Sequence, residues 1–480
     1  MKAIRSILLT GLALVIFCGP GFAAETKTKL NLLFITADDM NADSPGWMGN
    51  PLKLTPNVDA LAATAHRFVN NHVTIPICQP GREAMMTGRV PHRNGGTGFI
   101  PIKLDVPTMV EVLQAAGYYA AAINKIPHMA PKSKFPWDHP FDGSGKNPKL
   151  FRSHMDEALA EAKAAGKPFF INANITDPHR PFYGSQQGKQ KKNAKQGKKA
   201  EQAGVKSGED VIEPLTAEQV STPGFLEDIP LVREEVAQYY SSIKRLDVTF
   251  GEIMAALKAS GQEDKTVVLF MSDHGMSFPF SKATVYFNGT WSPVLLRWPG
   301  MGKPQKREEF TSSVDVMPTL LDILGVEHPP GMDGRSWLPL LKGEKQQDRD
   351  YVVSHVNTVS SGKSFVQRSI RTKDFALNFE GWADGTTTIK VEAMSGLSYN
   401  AMAAAAKTDS KIESRVEQFV KGVPLAFYDS KNDPGERTNE LTNPKFRKEI
   451  ERLKKLLLAH MEKTGDPELE SFKKVAYPGK

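Results

Sequence analysis

The chain has 480 residues, of which 40% are hydrophobic and 24% charged, so its composition is that of an ordinary globular protein and excludes a disordered or fibrous one. This length suits one large domain with a smaller one beside it. The formal net charge is +7, but six lysines between Lys189 and Lys199 carry most of the excess. The positive charge is therefore local and does not indicate a nucleic-acid-binding protein.

The first 24 residues have the pattern of a secretory signal peptide. Lys2 and Arg5 precede an apolar run at residues 7–17, and Ala23-Ala24 forms a small-residue cleavage site. The run is too short for a permanent membrane anchor, and no later segment is long and apolar enough to be one. We expect an exported protein, periplasmic or secreted, without a permanent membrane anchor.

Strands and helices alternate through the first two thirds of the chain. Continuous apolar runs, typical of strands buried on both faces of a sheet, lie at residues 30–36, 118–123, 168–173, 266–271 and 293–298. Helical patterns lie between them at about residues 55–65, 106–116, 233–259 and 315–324. The alternation predicts an α/β fold in which a mostly parallel sheet is flanked by helices.

Polar side chains follow four of these strands closely. They are Asp38 and Asp39, Lys125 and His128, His179, and Asp273 with His274. Because right-handed crossovers put the carboxyl ends of parallel strands at one edge of the sheet, we expect these side chains to lie together. The sequence therefore predicts a functional site at that edge.

The rest of the chain is less regular. Residues 186–210, rich in Lys, Gln and Gly, predict a flexible surface insertion, which is either a solvated loop without a role or a segment that attracts a polyanionic substrate. A strand and tight turn at residues 427–436 and an amphipathic helix at residues 444–463 predict a smaller C-terminal α+β domain. We place the larger domain at residues 25–347 and the smaller one at residues 348–480.

Two groups of residues suggest chemistry. The carboxylates of Asp38, Asp39 and Asp273 form an oxygen-rich set that suits a hard cation such as calcium, although a single Asp can also cap a helix.

Without the predicted signal peptide, Cys78 is the sole cysteine, so it has no disulfide partner. Cys78 is then either a small buried hydrophobic residue or a residue with chemistry of its own. The C-x-P-x-R pattern at residues 78–82 supplies a chemical explanation, but on its own it leaves both readings open.

Further motifs accompany this pattern along the chain. They lie at residues 30–39, 55–59, 86–89, 272–275, 318–321, 334–336 and 428–436. Together with the C-x-P-x-R pattern, these motifs resemble those of the type I sulfatases over nearly the whole mature chain. The resemblance implies an alkaline-phosphatase-like α/β domain followed by a small C-terminal sheet domain.

The resemblance also implies a nucleophile and a metal site. Cys78 would be oxidised to formylglycine by a maturase during export, and the hydrated aldehyde would be the nucleophile. Asp38, Asp39, Asp273 and His274 would bind one calcium ion together with the residue at position 78. His274 replaces an Asn that is common in the family, and an imidazole nitrogen is a less typical calcium ligand than oxygen.

Five cationic or titratable side chains would surround the sulfate group, by the same resemblance. Arg82 would steady the aldehyde hydrate, and Lys125 would contact both hydrate and sulfate. His128 would take the proton of the second hydroxyl, while His179 and Lys282 would bind the sulfate and protonate the leaving group. Cations arranged around a developing anion are what transfer of a sulfuryl group requires.

The sequence departs from the usual family pattern at a few positions. Gly81 stands where Ser or Ala is usual, and Asn124 replaces a Gly. His128 follows Lys125 by three residues where many members have two. Other histidines near the motifs lack metal-ligand spacing, and we expect structural or surface roles for His66, His72, His92 and His139.

Two segments bear on the substrate. Residues 177–181 and 278–282 resemble the heparan N-sulfatase branch, while residues 272–275 and the K-x-x-H spacing are also similar to iduronate-2-sulfatases. Both branches imply a sulfated glycosaminoglycan, with glucosamine N-sulfate as the first candidate and the choice between N- and O-sulfate open. We expect Arg180 to reach a neighbouring sugar acid.

Two other functions remain open at this point. A phosphonate or phosphodiester hydrolase could use the same nucleophile and metal. A non-catalytic protein that binds sulfated glycans would result if Cys78 were never modified.

Overall fold

The computed structural model describes residues 29–186 and 211–479. The predicted signal peptide and all but the first residue of the predicted Lys-rich insertion lie outside this part of the chain. Across the described residues, no helix is both long and apolar enough to cross a bilayer. Cys78 is buried and is a free cysteine.

Two sheets contain most of the strands. In chain order, the strands are β1 (Asn31–Asp38), β2 (His66–Phe68), β3 (Asn71–His72), β4 (Tyr119–Ile123), β5 (His139–Phe141), β6 (Phe169–Pro178), β7 (Thr266–Ser272), β8 (Val294–Arg297), β9 (Lys306–Arg307), β10 (Thr311–Ser312), β11 (Tyr351–Thr358), β12 (Ser364–Thr372), β13 (Ala376–Glu380) and β14 (Leu425–Tyr428). The larger sheet has the order β5-β4-β6-β1-β7-β8-β2-β9, and the smaller one has the order β11-β12-β13-β14. A two-stranded pair, β10-β3, lies apart from both.

Helices connect and flank these strands. They are α1 (Pro56–Thr64), α2 (Cys78–Thr87), α3 (Pro91–Asn94), α4 (Met109–Ala115), α5 (Pro148–Ala164), α6 (Pro230–Ala259), α7 (Phe287–Thr290), α8 (Val316–Leu324), α9 (Leu338–Leu341), α10 (Leu397–Ala405), α11 (Ser410–Lys421), α12 (Arg447–Thr464) and α13 (Leu469–Ala476). Single turns of 3-10 helix include Ile126–His128 and Glu392–Ser395, which both reach the candidate site described below. The predicted α/β fold with a smaller C-terminal α+β part is confirmed.

β1 is the central strand, and its sequence explains its place. It pairs in parallel with β6 on one side and β7 on the other. Leu33 and Ile35 enter the core cluster that contains α1, α5 and α6, whereas Leu32 and Phe34 enter the cluster that contains α4 and α8. Successive residues of a strand point to opposite faces, so a strand covered on both faces needs the continuous apolar run seen here. The strand predicted at residues 293–298 is present as β8 but runs antiparallel to β7.

Element ends differ from the predicted ones where local chemistry decides them. The helix predicted from residue 106 begins at Met109, because Thr108 and Glu111 form a capping box. The long helix begins three residues earlier than predicted, with Pro230 at its first position, which suits proline. The strand predicted at residues 168–173 continues to Pro178 and carries the chain to the site.

The C-terminal part is an antiparallel sheet covered by α12 and α13, which form their own core with it. α13 was not among the predicted elements. The first strand of this sheet begins at Tyr351, close to the predicted boundary at residue 347, which remains a prediction. Hydrogen bonds join this sheet to the larger one's loops, from Val285 N to Gln367 Oε1 at 3.1 Å and from His355 N to Thr74 O at 2.7 Å.

The end of β6 is fixed by a buried ion network. Arg245 on α6 donates to both oxygens of Asp177, at 2.7 and 3.0 Å. Lys146 lies 3.2 Å from the same carboxylate and donates to Pro181 O at 2.8 Å. Burial alone would raise the pKa of Asp177, but Arg245 and Lys146 outweigh it and hold the pKa below its usual value. The network therefore fixes the turn that presents His179.

Asp177→Asn should lower the free energy of unfolding by about 3–5 kcal/mol, because it leaves buried cations without their counter-charge. Asp156→Asn is the matched control, since Asp156 pairs with Arg152 at 2.9 Å on the surface, and should cost at most about 1 kcal/mol. Denaturant unfolding at pH 7 measures both. The folded-state pKa of Asp177 is depressed, so its stabilisation is full above the unfolded value of about 3.9 and fades as the pH falls below it. Equal losses in the two variants would contradict this account.

Candidate active site

The ends of β1 and β7 bring three carboxylates together. Asp38 and Asp39 follow the apolar part of β1, and Asp273 follows β7, all fully buried. Asp39 N donates to Asp273 Oδ1 at 3.1 Å, and Asp273 N donates to Ala37 O at 3.0 Å. Asp39 has a positive φ of 71°, which turns the chain away from the strand at this point. The strand ends thus meet at one edge of the sheet, as the sequence predicted.

Cys78 is the first residue of α2, a helix that is buried along its whole length. Its Sγ lies 3.2 Å from His274 Nε2. Burial raises the pKa of the Cys78 thiol well above its ordinary value, and three nearby carboxylates oppose ionisation further. The departure at Gly81 has a steric reason, since a Cβ there would lie 2.9 Å from Ile75 O.

Arg82 lies one turn of α2 beyond Cys78 and points at the carboxylates. Its Nη2 donates to Asp273 Oδ2 at 2.8 Å and lies 3.7 Å from Asp38 Oδ1. Its Nη1 donates to Thr36 Oγ1 at 2.8 Å and to Asn174 Oδ1 at 2.5 Å. The guanidinium is therefore fixed by partners from three strands and balances part of the negative charge.

Lys125 and His128 are joined by a single 3-10 turn. In such a turn, residues three apart lie on the same side, which accounts for the K-x-x-H spacing. The Lys125 ammonium forms an ion pair with Asp38. Burial, together with the charges of Lys125 and Arg82, lowers the pKa of His128 to about 3. His128 is therefore neutral near pH 7.

Lys282 and His179 share one acidic neighbour, Glu392, and Lys282 also pairs with Asp39. Lys282 Nζ donates to the two oxygens of Asp39 at 2.9 and 3.0 Å. It also lies 2.7 Å from Glu392 Oε2, while His179 Nε2 lies 3.7 Å from Glu392 Oε1. Burial alone would raise the pKa of Glu392, but Lys282 and His179 outweigh it and lower the pKa to about 2.

Glu392 was missed by reasoning from the sequence. It comes from the irregular segment between β13 and α10 and belongs to no motif or periodic pattern. The sequence offers no indirect signal either, because the three motif carboxylates already match the three buried cations. Its side chain is 29% exposed beside His179 at 24%, so these two groups form the open side of the site.

Arg180 does not reach the site opening, which corrects the expectation from the sequence. Its Nη1 donates to Glu235 Oε1 at 2.5 Å and its Nη2 donates to Ser277 O at 2.9 Å. The guanidinium also packs on the Phe182 ring, 4.3 Å from the centroid. Arg180 therefore ties β6 to α6 inside the fold and is not available to a sugar acid.

The predicted ligand set fits a bound cation. Ligand atoms of Asp38, Cys78, Asp273 and His274 all lie within 4.8 Å of one another, and Asp39 forms a similar group with Cys78 and His179. Both oxygens of Asp38 are buried, with the Lys125 ammonium against one and the Arg82 guanidinium 3.7 Å from the other. Burial raises the pKa of Asp273, and the neighbouring Asp38 charge adds to this. Closely spaced carboxylates of this kind need positive charge among them.

The loop after β7 requires glycine for this geometry. A Cβ on Gly275 would lie 1.8 Å from Asn288 O, and Gly275 N donates to Gly289 O at 3.0 Å. His274 Nδ1 lies 2.9 Å from Gly275 O, so the backbone also orients the imidazole. The D-H-G sequence after β7 is thus set by close packing as well as by ligand chemistry.

Comparison with known proteins decides the family. A model of the Sulfatase family matches residues 30–326, which is more than half of the chain. The chain belongs to the sulfatase family. A second model, described as N-sulphoglucosamine sulphohydrolase, C-terminal, matches residues 273–382. The resemblance inferred from the motifs is confirmed, and the protein is an enzyme of the sulfatase type.

Individual relatives of this sulfatase cover most of its length. An ulvan-active sulfatase of Formosa agariphila is 27% identical over 92% of this chain and 82% of its own length. N-sulphoglucosamine sulphohydrolase of Homo sapiens is 27% identical over 91% of each chain. A solved structure of a protein in complex with its substrate D-glucosamine-2-N,6-O-disulfate has a TM-score of 0.66 at 19% identity and covers 92% of this chain and 99% of that one. At 19% identity, the similarity to this solved structure is evidence for the alkaline-phosphatase-like fold only.

Proposed function

We propose that this sulfatase hydrolyses sulfate esters or sulfamates on a sulfated glycan and releases inorganic sulfate, using formylglycine formed from Cys78. The observation that supports this most is the placement of Cys78. Its Sγ lies among Asp38, Asp273 and His274, where the oxygen of formylglycine would be. Cationic side chains from α2, the β4 loop and the β7 loop surround the same point, as an anionic substrate requires.

Cys78 itself is a poor nucleophile in this setting. Burial raises its pKa, so the thiol stays protonated, and the thiolate is the reactive form. Formylglycine supplies a hydrate with two hydroxyls on one carbon. One hydroxyl would attack sulfur as the sugar oxygen or nitrogen leaves with a proton. Loss of the second hydroxyl's proton would then expel sulfate and restore the aldehyde, which a serine has no means to do.

The residues of the chain divide into two groups by their role in the reaction. His128, neutral near pH 7, would accept the proton of the second hydroxyl, with Lys125 and Arg82 beside the hydrate. Lys282 and His179 would hold the sulfate and supply the leaving-group proton. The acid and the base would thus be different residues, so the two proton transfers would not compete for one group.

We assign the metal site to one calcium ion. Asp38, Asp39, Asp273 and His274 would hold it, together with the oxygen of formylglycine at position 78. When bound, calcium offsets charge on the sulfate group and on the nucleophile's oxygen. The donor set is mostly carboxylate oxygen, which suits a hard cation, and ligand atoms of Asp38, Asp273 and His274 lie within 4.8 Å of one another.

A sulfated saccharide, with glucosamine N-sulfate as the first candidate, is the substrate we propose. The match to the N-sulphoglucosamine sulphohydrolase C-terminal model and the relatives' names support it. Glu392, ionised and at the open side of the site, takes the place that Arg180 was expected to hold. A carboxylate there would accept hydrogen bonds from a sugar hydroxyl or amine, which a simple aryl sulfate lacks.

Cys78 should be found as formylglycine when the chain is exported beside a competent maturase. Peptide mass spectrometry across residues 78–82 measures the loss of sulfur and two hydrogens and the gain of one oxygen. Cys78→Ser should lose turnover while keeping the melting temperature, because the fold needs only a small buried side chain there. Full turnover by Cys78→Ser would rule out the mechanism, and an exported protein in which Cys78 stays unmodified would indicate a binding protein instead.

Asp273→Asn should lose both bound calcium and activity, since it removes one of three carboxylates that balance the ion. Metal analysis of the dialysed protein, with sulfate release assayed in parallel, measures the two effects. Asp322→Asn is the control, because Asp322 is 37% exposed and pairs with His328 away from the site. Retained calcium in Asp273→Asn, or activity untouched by calcium chelation, would exclude this site.

Sulfate should be released from at least one of a panel of N-, 2-O- and 6-O-sulfated saccharides, measured by ion chromatography. Glu392→Gln should lower kcat/KM on that saccharide by about tenfold or more, the value of a hydrogen bond to a charged group, and affect an aryl sulfate less. Glu417→Gln, an exposed acid paired with Lys421, is the control. No release from any saccharide, beside fast phosphodiester hydrolysis, would favour a phosphonate or phosphodiester hydrolase.

A further inference from the structure

A second cluster of metal-ligating side chains lies between the two sheets, away from the candidate active site. His92 comes from α3, His355 from β11, His460 from α12, and Asp466 from the turn after α12. Ligand atoms of His92, His355 and Asp466 lie within 4.8 Å of one another. The His355 and His460 rings lie 5.4 Å apart between centroids, so the third imidazole borders the same space.

The hydrogen bonds of His92 leave a lone pair pointing into the cluster. Its Nε2 lies 3.2 Å from Thr464 O, a carbonyl that can only accept, so Nε2 carries the proton. Its Nδ1 is then an acceptor, is buried, and has no hydrogen-bond partner among the described residues. Nδ1 lies 4.0 Å from Asp466 Oδ2, a second acceptor. A backbone carbonyl that fixes the tautomer is the usual support of a metal-binding histidine.

His355 is the least satisfied side chain of the cluster. It is fully buried, and neither of its ring nitrogens has a hydrogen-bond partner among the described residues. Its Nε2 also lies 4.0 Å from Asp466 Oδ2. His460 Nε2 is likewise buried without a partner there. Buried polar atoms left unpaired in one small space indicate a missing partner.

Arg368 limits how Asp466 can act. Its Nε and Nη2 donate to the two Asp466 oxygens at 2.6 and 2.8 Å, and its register position on β12 is opposite His355. Oδ2 keeps a lone pair, so Asp466 would bind through that atom alone. The nearby guanidinium weakens the binding of a cation, which makes an exchangeable ion more consistent with the charges than a permanently held one.

We propose that His92, His355, His460 and Asp466 form a second metal site that binds one divalent cation of borderline softness, with zinc as the representative. Three imidazoles and one carboxylate suit zinc, whereas calcium and magnesium prefer oxygen. Ligand atoms of His92, His355 and Asp466 lie within 4.8 Å of one another and would move closer when the ion binds, with His460 approaching from beside His355. His460 also lines a cleft of about 170 Å³.

The consequence would be a link between the two parts of the chain. α3 directly follows α2, which carries Cys78, and the other three ligands belong to the C-terminal sheet and helices. An ion at this position would join that sheet to the support of the nucleophile. It would be a structural site, because four protein ligands leave no open position for substrate.

Zinc chloride titrated into the mature, calcium-saturated protein tests this. Isothermal titration calorimetry should show one zinc per chain, and His92→Gln should weaken that binding by at least about 100-fold, since even outer-shell partners of a metal are worth 10–100-fold. Turnover and calcium content should be unchanged in His92→Gln. His139→Gln is the matched control, because His139 lies beside Glu161 at 3.0 Å in a separate, exposed group.

The outcomes are separable. Equal zinc binding by the native protein and His92→Gln, or loss in His139→Gln alone, would overturn the proposal. No zinc uptake by the native protein at pH 7.5 would also overturn it and leave water as the occupant. If His92→Gln fails to fold, His460→Gln provides the same comparison at the rim of the cleft, where a Gln is easily accommodated. None of these results depends on whether the active-site proposal holds.

Discussion

The close packing of like charges at the end of β1 is the constraint on which the rest of the site depends. Asp38, Asp39 and Asp273 are fully buried and adjacent, an arrangement that is unstable without positive charge. Arg82, Lys125 and Lys282 supply that charge through direct contacts with the three carboxylates. Three cations thus face three carboxylates, and Glu392 adds a fourth acid through its contact with Lys282. A bound calcium ion would add positive charge, which the anionic sulfate group of a substrate would partly offset.

Much of the site could be predicted from the sequence because its charged residues come directly after strands. Parallel strands place their carboxyl ends at one edge of the sheet, so these residues meet there. The apolar run of β1 identified the central strand, and the K-x-x-H spacing corresponds to a 3-10 turn. The positions of Cys78 and Arg82 follow from a single helical turn, which spacing alone defines.

The parts that could not be predicted depend on contacts between distant, irregular segments. Glu392 reaches Lys282 from a short 3-10 turn over one hundred residues away, and no local pattern marks it. Arg180 was placed correctly beside the site, but its partner Glu235 lies on α6, and the pairing turns the guanidinium inward. Sequence spacing identifies which residues lie near one another along one element. It does not identify which acidic residue a cationic side chain will pair with, because that pairing depends on packing between elements.

The same physical rule connects the candidate active site with the histidine cluster. In both places buried ligand atoms of acidic or imidazole side chains face one another, around Asp38 and Asp273 in one and around His92 and His355 in the other. The donors differ, and the ion each site would bind differs with them. Carboxylate oxygens beside a substrate opening suit a hard, exchangeable cation that can also contact an anion. Imidazoles closed in by protein on most sides suit a borderline metal with no free position. One chain can therefore keep two cations apart by ligand chemistry alone, since each site is poorly suited to the other's ion.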